Sequence, residues 1–424
     1  MADYTLPYGT TALRFSLPDS LAVEVLAPAD APPAPDPLAA VEAALNDPAA
    51  GVRLEDFAGA RSAAVAINDK TRPVPHAHLL PPLLARLEAL GLPPAAITLV
   101  IAAGAHPPMP PAEFAQVVPA GVLARYPVVC HDCDDAGGLV YRGATARGTP
   151  VWINRRYAEA DLRLVVGNIE PHQFMGFSGG VKSAAIGLAG RDTITHNHAH
   201  MTEPAARLGQ YVGNPAREDV EEIGRLVGVH YALNAVLNRG KQIVQVVAGD
   251  PMAVMRAGIP LAEAIATVPV AAPFDLTLAS PGGHPKDINL YQAQKALAHA
   301  ALVTRPGGMI ILAAACPEGA GSDHYERWMA DVDSYEAVFA KFAREGFHIG
   351  PHKAYQIARD AARVRVRLVT EMPPDLARRL LLAPASLDDA LAEALASLPP
   401  GGRVGILPSA NATVPRLAGE TGVE

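Results

Sequence analysis

The feature that most limits what this chain can fold into is the texture of its apolar segments. Ser62–Asn68, Ile97–Ala102, Leu162–Ile169, Ile243–Val247, Leu276–Ser280, Met309–Ala314 and Val364–Val369 are short and nearly continuous in apolar residues rather than alternating with polar ones. A strand that is apolar on both faces must be covered on both, the condition of a parallel sheet between layers of helices. Helical spacing fills the intervals: Leu38–Leu45, Leu80–Leu90, Ala216–Val227, Ala253–Ala266, Asn289–Leu302, Tyr325–Glu345 and His352–Arg363. Strands alternating with helices predict an α/β fold with largely parallel sheets. Ligands in such folds sit at the carboxyl ends of the strands.

A length of 424 residues is enough for two or three domains at roughly 150 residues each. Hydrophobic residues make up 50% and aromatic residues only 5%, so the cores must rest on Ala, Leu, Val and Ile. The formal net charge of −8 argues against a nucleic-acid surface, which needs a basic patch. Three cysteines, Cys130, Cys133 and Cys316, make no disulfide framework. No segment reads as a membrane span, and MADYTLPYGTTALRF lacks the pattern of a signal peptide. The setting these features predict is soluble and cytoplasmic, with no nucleic-acid or membrane partner. The segment Thr267–Phe274 (TVPVAAPF) follows a helical stretch and precedes a strand, and its prolines interrupt both patterns. It divides the chain into an N-terminal α/β domain (1–267), a linker (268–274) and a C-terminal α/β domain (275–424), whose tail from Arg403 can pack back on either domain. Pro28–Pro37 (PADAPPAPDP) reads as an extended loop.

Reactive side chains recur just past the strands. The segment LRLVVGNIEPHQFMGFSGGVKS (162–183) runs from a strand through His172 and a glycine loop with Gly179 and Gly180 to Lys182-Ser183, which opens an Ala-rich stretch read as a helix. Strand, glycine loop and helix N-terminus together predict an anion site. A triphosphate P-loop needs Gly before its Lys, and Val181 stands there. Beyond lie His196, His198 and His200, a spacing that aligns all three on one face if the segment is a strand, and that matches no zinc-finger pattern. INDKTRPVP (67–75) places Asp69 and Arg72 past another strand, and Arg offers a planar fork for a carboxylate. VIAAGAHP (100–107) places His106 past a third. SPGGHPKDINLYQAQK (280–295) puts Gln292 and Lys295, three apart, and Tyr291 and Lys295, four apart, on shared helix faces. Cys130-His-Asp-Cys133 lacks the second cysteine pair of a structural zinc site.

Taken in order, NDKTRP (68–73), GAHPP (104–108), IEPHQFMGFSGGVKS (169–183), DTITHNH (192–198) and GGHPKDINLYQAQK (282–295) resemble the nickel-pincer lactate racemase family. The resemblance implies two α/β domains with the site in the cleft between them. It implies nickel carried by pyridinium-3,5-bisthiocarboxylic acid mononucleotide, joined covalently to the lysine that matches Lys182. His198 matches the nickel ligand, and His196 and His200 match no assigned role. His106 and His172 match the proton donor and acceptor. Asp69, Lys70, Thr71 and Arg72 match the loop that contacts cofactor and substrate, with Gly179, Gly180 and Ser183 beside the attached lysine. Arg72, Tyr291, Gln292 and Lys295 match substrate-binding positions.

The activity implied is racemisation or C2 epimerisation of a 2-hydroxy acid. Hydride passes reversibly from C2 to the cofactor through a 2-keto acid, and the two histidines exchange the hydroxyl proton. Proteins that build the cofactor are implied as partners in maturation. His348, His352 and Lys353 suit a polar or larger acid. Two other readings fit parts of the sequence: a nickel or pincer-cofactor carrier without catalysis, and a phosphate-binding kinase-like enzyme. A carrier has no need of His106, His172, Arg72 and Lys295 together.

Overall fold

The computed structural model describes residues 1–418. Its contacts divide the chain into two units, Asp30–Ile265 and Met1–Ala29 with the chain from Ala266 onward. Each is a mixed α/β structure on its own six-stranded sheet. Among the described residues no helix is long and apolar enough to cross a membrane.

In the first unit the strands lie in the order Ile243–Gly249, Tyr231–Leu237, Leu162–Ile169, Ala63–Asn68, Ile97–Ala102, Val128–Cys130. All neighbours are parallel except the outermost pair, 231–237 with 243–249. One face is built from Val65, Ile67, Leu99, Ile101, Leu164, Val166 and Leu233 and packs on Leu79, Leu80, Leu83 and Leu87 of the helix His76–Ala89. The alternate residues of the central strand, Ala64 and Ala66, are small. That leaves room for the short helix Lys182–Ala185 to lie against strands 63–68 and 162–169.

From the central strand 63–68 the chain winds outward one way, through 97–102 to 128–130. It then returns to place 162–169 on the other side. The adjoining ends of 63–68 and 162–169 therefore form a topological switch point, where loops diverge and leave a crevice. Asp69 and Glu170 are the first residues past those two strands.

The second sheet is parallel throughout, in the order Ala383–Pro384, Arg365–Val369, Thr304–Ala313, Phe274–Ala279, Arg403–Leu407, Ala22–Val25. Its core residues Leu276, Leu278, Met309, Ile311, Val404 and Ile406 pack with Leu6, Phe15 and Leu17 of the antiparallel hairpin Ala2–Tyr8 and Thr11–Leu17. That hairpin is fastened to the loop after Phe274–Ala279. Gly9 N donates to Asp287 Oδ2 at 2.7 Å, His284 N donates to Gly9 O at 2.8 Å, and Ser280 Oγ donates to Pro7 O at 2.5 Å.

Several expectations change here. Residues 1–29, read from sequence as part of the N-terminal domain, supply the edge strand and hairpin of the second sheet. The tail from Arg403 enters the same sheet between 274–279 and 22–25. Residues 419–424 of that tail lie outside the described residues. The expected linker is partly a strand, Thr267–Val270, paired in parallel with Val414–Leu417. The expected helix Tyr325–Glu345 is two helices, Asp323–Trp328 and Tyr335–Glu345. Each begins at a serine whose Oγ accepts a backbone N–H, Ser322 from Tyr325 and Ser334 from Ala337, so the second cap starts a new helix where the periodicity suggested one.

Candidate active site

Past strand 63–68 the chain turns sharply, with Arg72 N bonded to Asp69 O at 3.1 Å. The Asp69 side chain is buried. Its Oδ1 accepts from Thr71 N at 3.2 Å and Thr71 Oγ1 at 2.7 Å, and its Oδ2 lies 2.7 Å from His106 Nδ1. Burial works to raise the Asp69 pKa. The hydrogen bond and charge of His106, the Thr71 hydroxyl and the charge of Arg72 outweigh it and hold the carboxyl below its ordinary range. Asp69 is thus an ionised acceptor at neutral pH, and His106 directs Nδ1–H at it. Arg72 is exposed and bonds Thr71 O and Oγ1 through Nη1 at 3.1 and 3.2 Å. Its Nε and Nη2 make no hydrogen bond to the described residues. Lys70 turns outward to Glu113 at 2.6 Å.

His106 arrives by the neighbouring strand, 97–102. Gly104 N bonds Gly187 O at 2.9 Å, which ties this turn to the end of the glycine-loop segment. Three of the strand-end residues singled out in the sequence, Asp69, Thr71 and His106, therefore form one bonded group.

Past strand 162–169 the chain makes a small hairpin, Pro171–His172 against Gly176–Phe177. Met175 N donates to His172 Nδ1 at 3.3 Å. Phe174 sits edge-on to two imidazoles, with ring centroids 4.9 Å from His172 and 5.2 Å from His198. The structure thus brings His172 and His198 against one buried aromatic ring.

The glycine loop follows. Gly179 and Gly180 have φ of +102° and +57°, which glycine adopts at little cost. Side-chain carbons there would lie 2.8 Å from Ile169 Cγ1 and 2.7 Å from Met255 Cγ respectively. Gly180 N donates to Asn234 Oδ1 at 2.7 Å. Lys182 is half-buried, and its Nζ donates to Ser178 Oγ at 3.3 Å. Ser183 Oγ would touch a Cβ on Gly167 at 3.3 Å, and Asn68 Oδ1 would touch it at 3.0 Å. Strand 162–169 has no side chain there, and these two polar groups occupy the space.

The structure corrects two readings of this region. The Ala-rich helix expected after Lys182 is the single turn Lys182–Ala185. Few peptide dipoles align in a single turn, so the helix part of the expected anion site is missing and the glycine loop alone remains. The His-x-His-x-His segment is helical, Arg191–Ala199, and the three rings do not share a face. Two residues along a helix is about 200° of rotation, so His198 points away from His196. His196 Nδ1 bonds Asp192 O at 2.8 Å, and His200 Nδ1 bonds Glu203 Oε1 at 2.7 Å.

In the second unit, Asn289 caps the helix Leu290–Val303 by accepting from Gln292 N at 3.2 Å. Lys295 Nζ donates to Gln292 Oε1 at 2.9 Å, so these two do share a face. Tyr291 packs with the helix His352–Ala361, its ring 4.7 Å from Lys353 Nζ and 5.7 Å from the His352 ring. Lys353 and His352 are buried, and His348 is exposed.

The Cys130-x-x-Cys133 pair forms no disulfide. Cys130 Sγ accepts from Met109 N at 3.2 Å, and burial raises both thiols. Asp132, Cys133 and Asp134 offer ligand atoms within 4.8 Å of one another. The Asp134 carboxylate is already held by Arg191 through two bonds of 2.6 Å.

Residues 8–209 match the lactate racemase N-terminal domain, and residues 270–413 match the lactate racemase C-terminal domain. This chain belongs to the lactate racemase family. It is 34% identical over 296 residues to the lactate racemase of Lactiplantibacillus plantarum, 69% of each protein. It is 31% identical over 351 residues to the lactate racemase of Thermoanaerobacterium thermosaccharolyticum, 82% of each. The structure of the lactate racemase apoprotein from the latter organism has a TM-score of 0.90 with 29% identity, covering 98% of this chain and 100% of that one. A Thermotoga maritima crystal structure shares the fold alone, with a TM-score of 0.65 and 17% identity over 86% of this chain and 97% of that one.

For this member of the lactate racemase family, sequence reasoning missed Phe174 and Arg217. Phe174 stood inside the His172 block and reads as ordinary core. Arg217 is 1% exposed. It donates to Phe177 O at 3.0 Å and to Gly179 O at 3.2 Å, and pairs with Glu221 at 2.5 Å. It holds the glycine loop by its carbonyls. Charged residues at the inward positions of helix Pro215–Val227, where Arg217, Asp219 and Glu221 are all buried, were the available signal.

Proposed function

We propose that this protein is a racemase or C2 epimerase of a 2-hydroxy acid. The observation that carries the reading is the opposite wiring of two imidazoles. His106 Nδ1 meets the ionised Asp69 carboxylate, so in the neutral ring the proton sits on Nδ1 and Nε2 is left basic. His172 Nδ1 receives a backbone N–H from Met175, and a backbone amide only donates. The neutral ring therefore carries its proton on Nε2 and is a hydrogen-bond donor there, and it gives up a proton as an acid only once the ring is doubly protonated. One base and one acid are what racemisation at a carbinol carbon needs, because the two enantiomers present their hydroxyls on opposite sides.

Imidazole nitrogen suits nickel, and His198 packs against Phe174, the ring that His172 also touches. Lys182 offers a half-buried amine whose neighbour Ser178 is a neutral hydroxyl. The residues fit nickel carried by pyridinium-3,5-bisthiocarboxylic acid mononucleotide, with Lys182 as the point of attachment and His198 as the metal ligand. Asp69–Arg72, Gly179, Gly180 and Ser183 are the contacts that go with it. When bound, such a group would supply a reversible hydride acceptor for C2 of the substrate.

The chain's own residues do the rest. His106 Nε2 withdraws the hydroxyl proton, with Asp69 fixing the tautomer and balancing the imidazolium. His172, as the imidazolium, supplies the proton from Nε2 to the carbonyl oxygen of the 2-keto acid on its other face. The free edge of Arg72 takes the substrate carboxylate as a planar pair. Gln292, Lys295 and Tyr291 are proposed to bind the substrate carboxylate and hydroxyl. We place the protein in the cytoplasm, loaded by proteins that build the cofactor.

A pure carrier would have no use for the Asp69–His106 pair. The test is incubation of single enantiomers of lactate, malate, aryl 2-hydroxy acids and sugar acids with nickel-loaded protein, followed by chiral chromatography. Appearance of the opposite configuration supports the proposal. Retention of configuration across the panel by protein with bound nickel contradicts it and favours the carrier.

A further inference from the structure

Asp219 is wholly buried on helix Pro215–Val227, and no cation among the described residues pairs with it. Its carboxylate is satisfied by three neutral donors. Thr145 Oγ1 donates to Oδ1 at 2.5 Å, and Thr149 Oγ1 and Asn197 Nδ2 donate to Oδ2, each at 2.9 Å. A polar group taken fully out of water must have its hydrogen bonds met, and here three separate side chains converge to meet those of one carboxyl group.

The donors come from two places. Thr145 and Thr149 lie in the turn of the hairpin Leu139–Ala144 and Pro150–Asn154. Asn197 lies on the helix Arg191–Ala199, directly before His198. That helix docks by directed bonds more than by apolar packing. Thr193 and Asn197, four apart on one face, are both fully buried. Thr193 Oγ1 accepts from Trp152 N at 2.9 Å and donates to Pro150 O at 2.6 Å. Asn197 Nδ2 also donates to Ala216 O at 3.0 Å.

Apolar contact, having no direction of its own, sets the rotation of a helix about its axis only loosely, and this helix buries one large apolar side chain, Ile194. Hydrogen bonds set it closely. His198 stands one residue on from Asn197, about 100° round the helix, so whatever fixes Asn197 fixes the direction of the His198 ring.

We infer that Asp219 is a positioning residue for the metal-binding imidazole: acting through Asn197, it sets the rotation of the His198 helix. The inference rests on the reading of His198 as the nickel ligand. Asp219 does not touch the substrate or the metal.

The test uses nickel-loaded holoenzyme and follows nickel release into a chelator, with thermal melting measured in parallel. Asn197→Ala and Asp219→Ala are compared with Thr145→Val, which removes a hydrogen bond from the same carboxylate but leaves the link to the His198 helix. Nickel release is expected to quicken about tenfold or more in Asn197→Ala and Asp219→Ala, and by less than about twofold in Thr145→Val, even where the melting temperatures fall equally. If Asp219→Ala does not fold, Asn197→Ala carries the comparison. Release from Asn197→Ala no faster than from Thr145→Val overturns the inference while leaving His198 a ligand, provided His198→Ala loses nickel. Wild-type retention by His198→Ala overturns the ligand assignment and this inference together.

Discussion

Asp69 Oδ2 and His106 Nδ1 lie 2.7 Å apart, the carboxylate buried and the imidazole side chain 45% exposed. The half in water can meet a substrate, and the buried half cannot rotate away. Asp69→Asn keeps the shape but removes the charge and permits the wrong tautomer. It is expected to lower kcat by about 10²-fold or more, with little change in KM. A kcat within about twofold of wild type would show that Asp69 plays no part in proton transfer.

His106→Ala and His172→Ala should each lower racemisation by about 10²-fold or more while nickel content stays at the wild-type level. Steady-state kinetics in both directions, with metal analysis of the same samples, checks this. Full activity in both variants would remove the acid–base assignment.

Arg217 and Glu221 form a buried pair at 2.5 Å that also carries the glycine loop. Arg217→Met leaves Glu221 buried without its cation and should destabilise the fold by about 3–5 kcal/mol. Arg217→Met with Glu221→Leu should recover part of that loss. Denaturant midpoints of the three proteins decide it, and a single variant as stable as wild type would contradict this account of the loop.

The central strands were legible because both their faces are apolar: Ile97–Ala102 and Leu162–Ile169 fall where the sequence placed them. Tyr231–Leu237 was missed because Asn234 interrupts it. That buried amide is there for another segment, since it accepts the Gly180 N–H. The strand-end residues Asp69, His106 and His172 stood out because polar side chains recur past apolar runs. Asp219 did not, because its partners lie 22 to 74 positions away along the chain. The place of residues 1–29 was hidden for the same reason: Ala22–Val25 pairs with Arg403–Ile406, and no local pattern records a pairing across most of the chain.

His76 gives a test of stability separate from the active site. It is 3% exposed, and its Nδ1 donates to Val117 O at 2.8 Å. Burial lowers its pKa to about 4, against about 6.5 in an unfolded chain. Between those values the unfolded state binds the extra proton, so stability is full above about pH 6.5 and is lost as pH falls toward 4. The loss amounts to about 3 kcal/mol. Urea midpoints from pH 7 to 4.5 should fall more steeply for wild type than for His76→Gln. Parallel curves would show that His76 is not the group responsible.

The central claim is a nickel cofactor joined to Lys182 that serves racemisation. The most direct test is intact-protein and peptide mass spectrometry with metal analysis, on protein co-expressed with a pincer-cofactor pathway. The account predicts a mass increment on the peptide containing Lys182, together with stoichiometric nickel, and loss of both in Lys182→Ala. An unmodified Lys182 and no bound nickel in protein from those cells would contradict it.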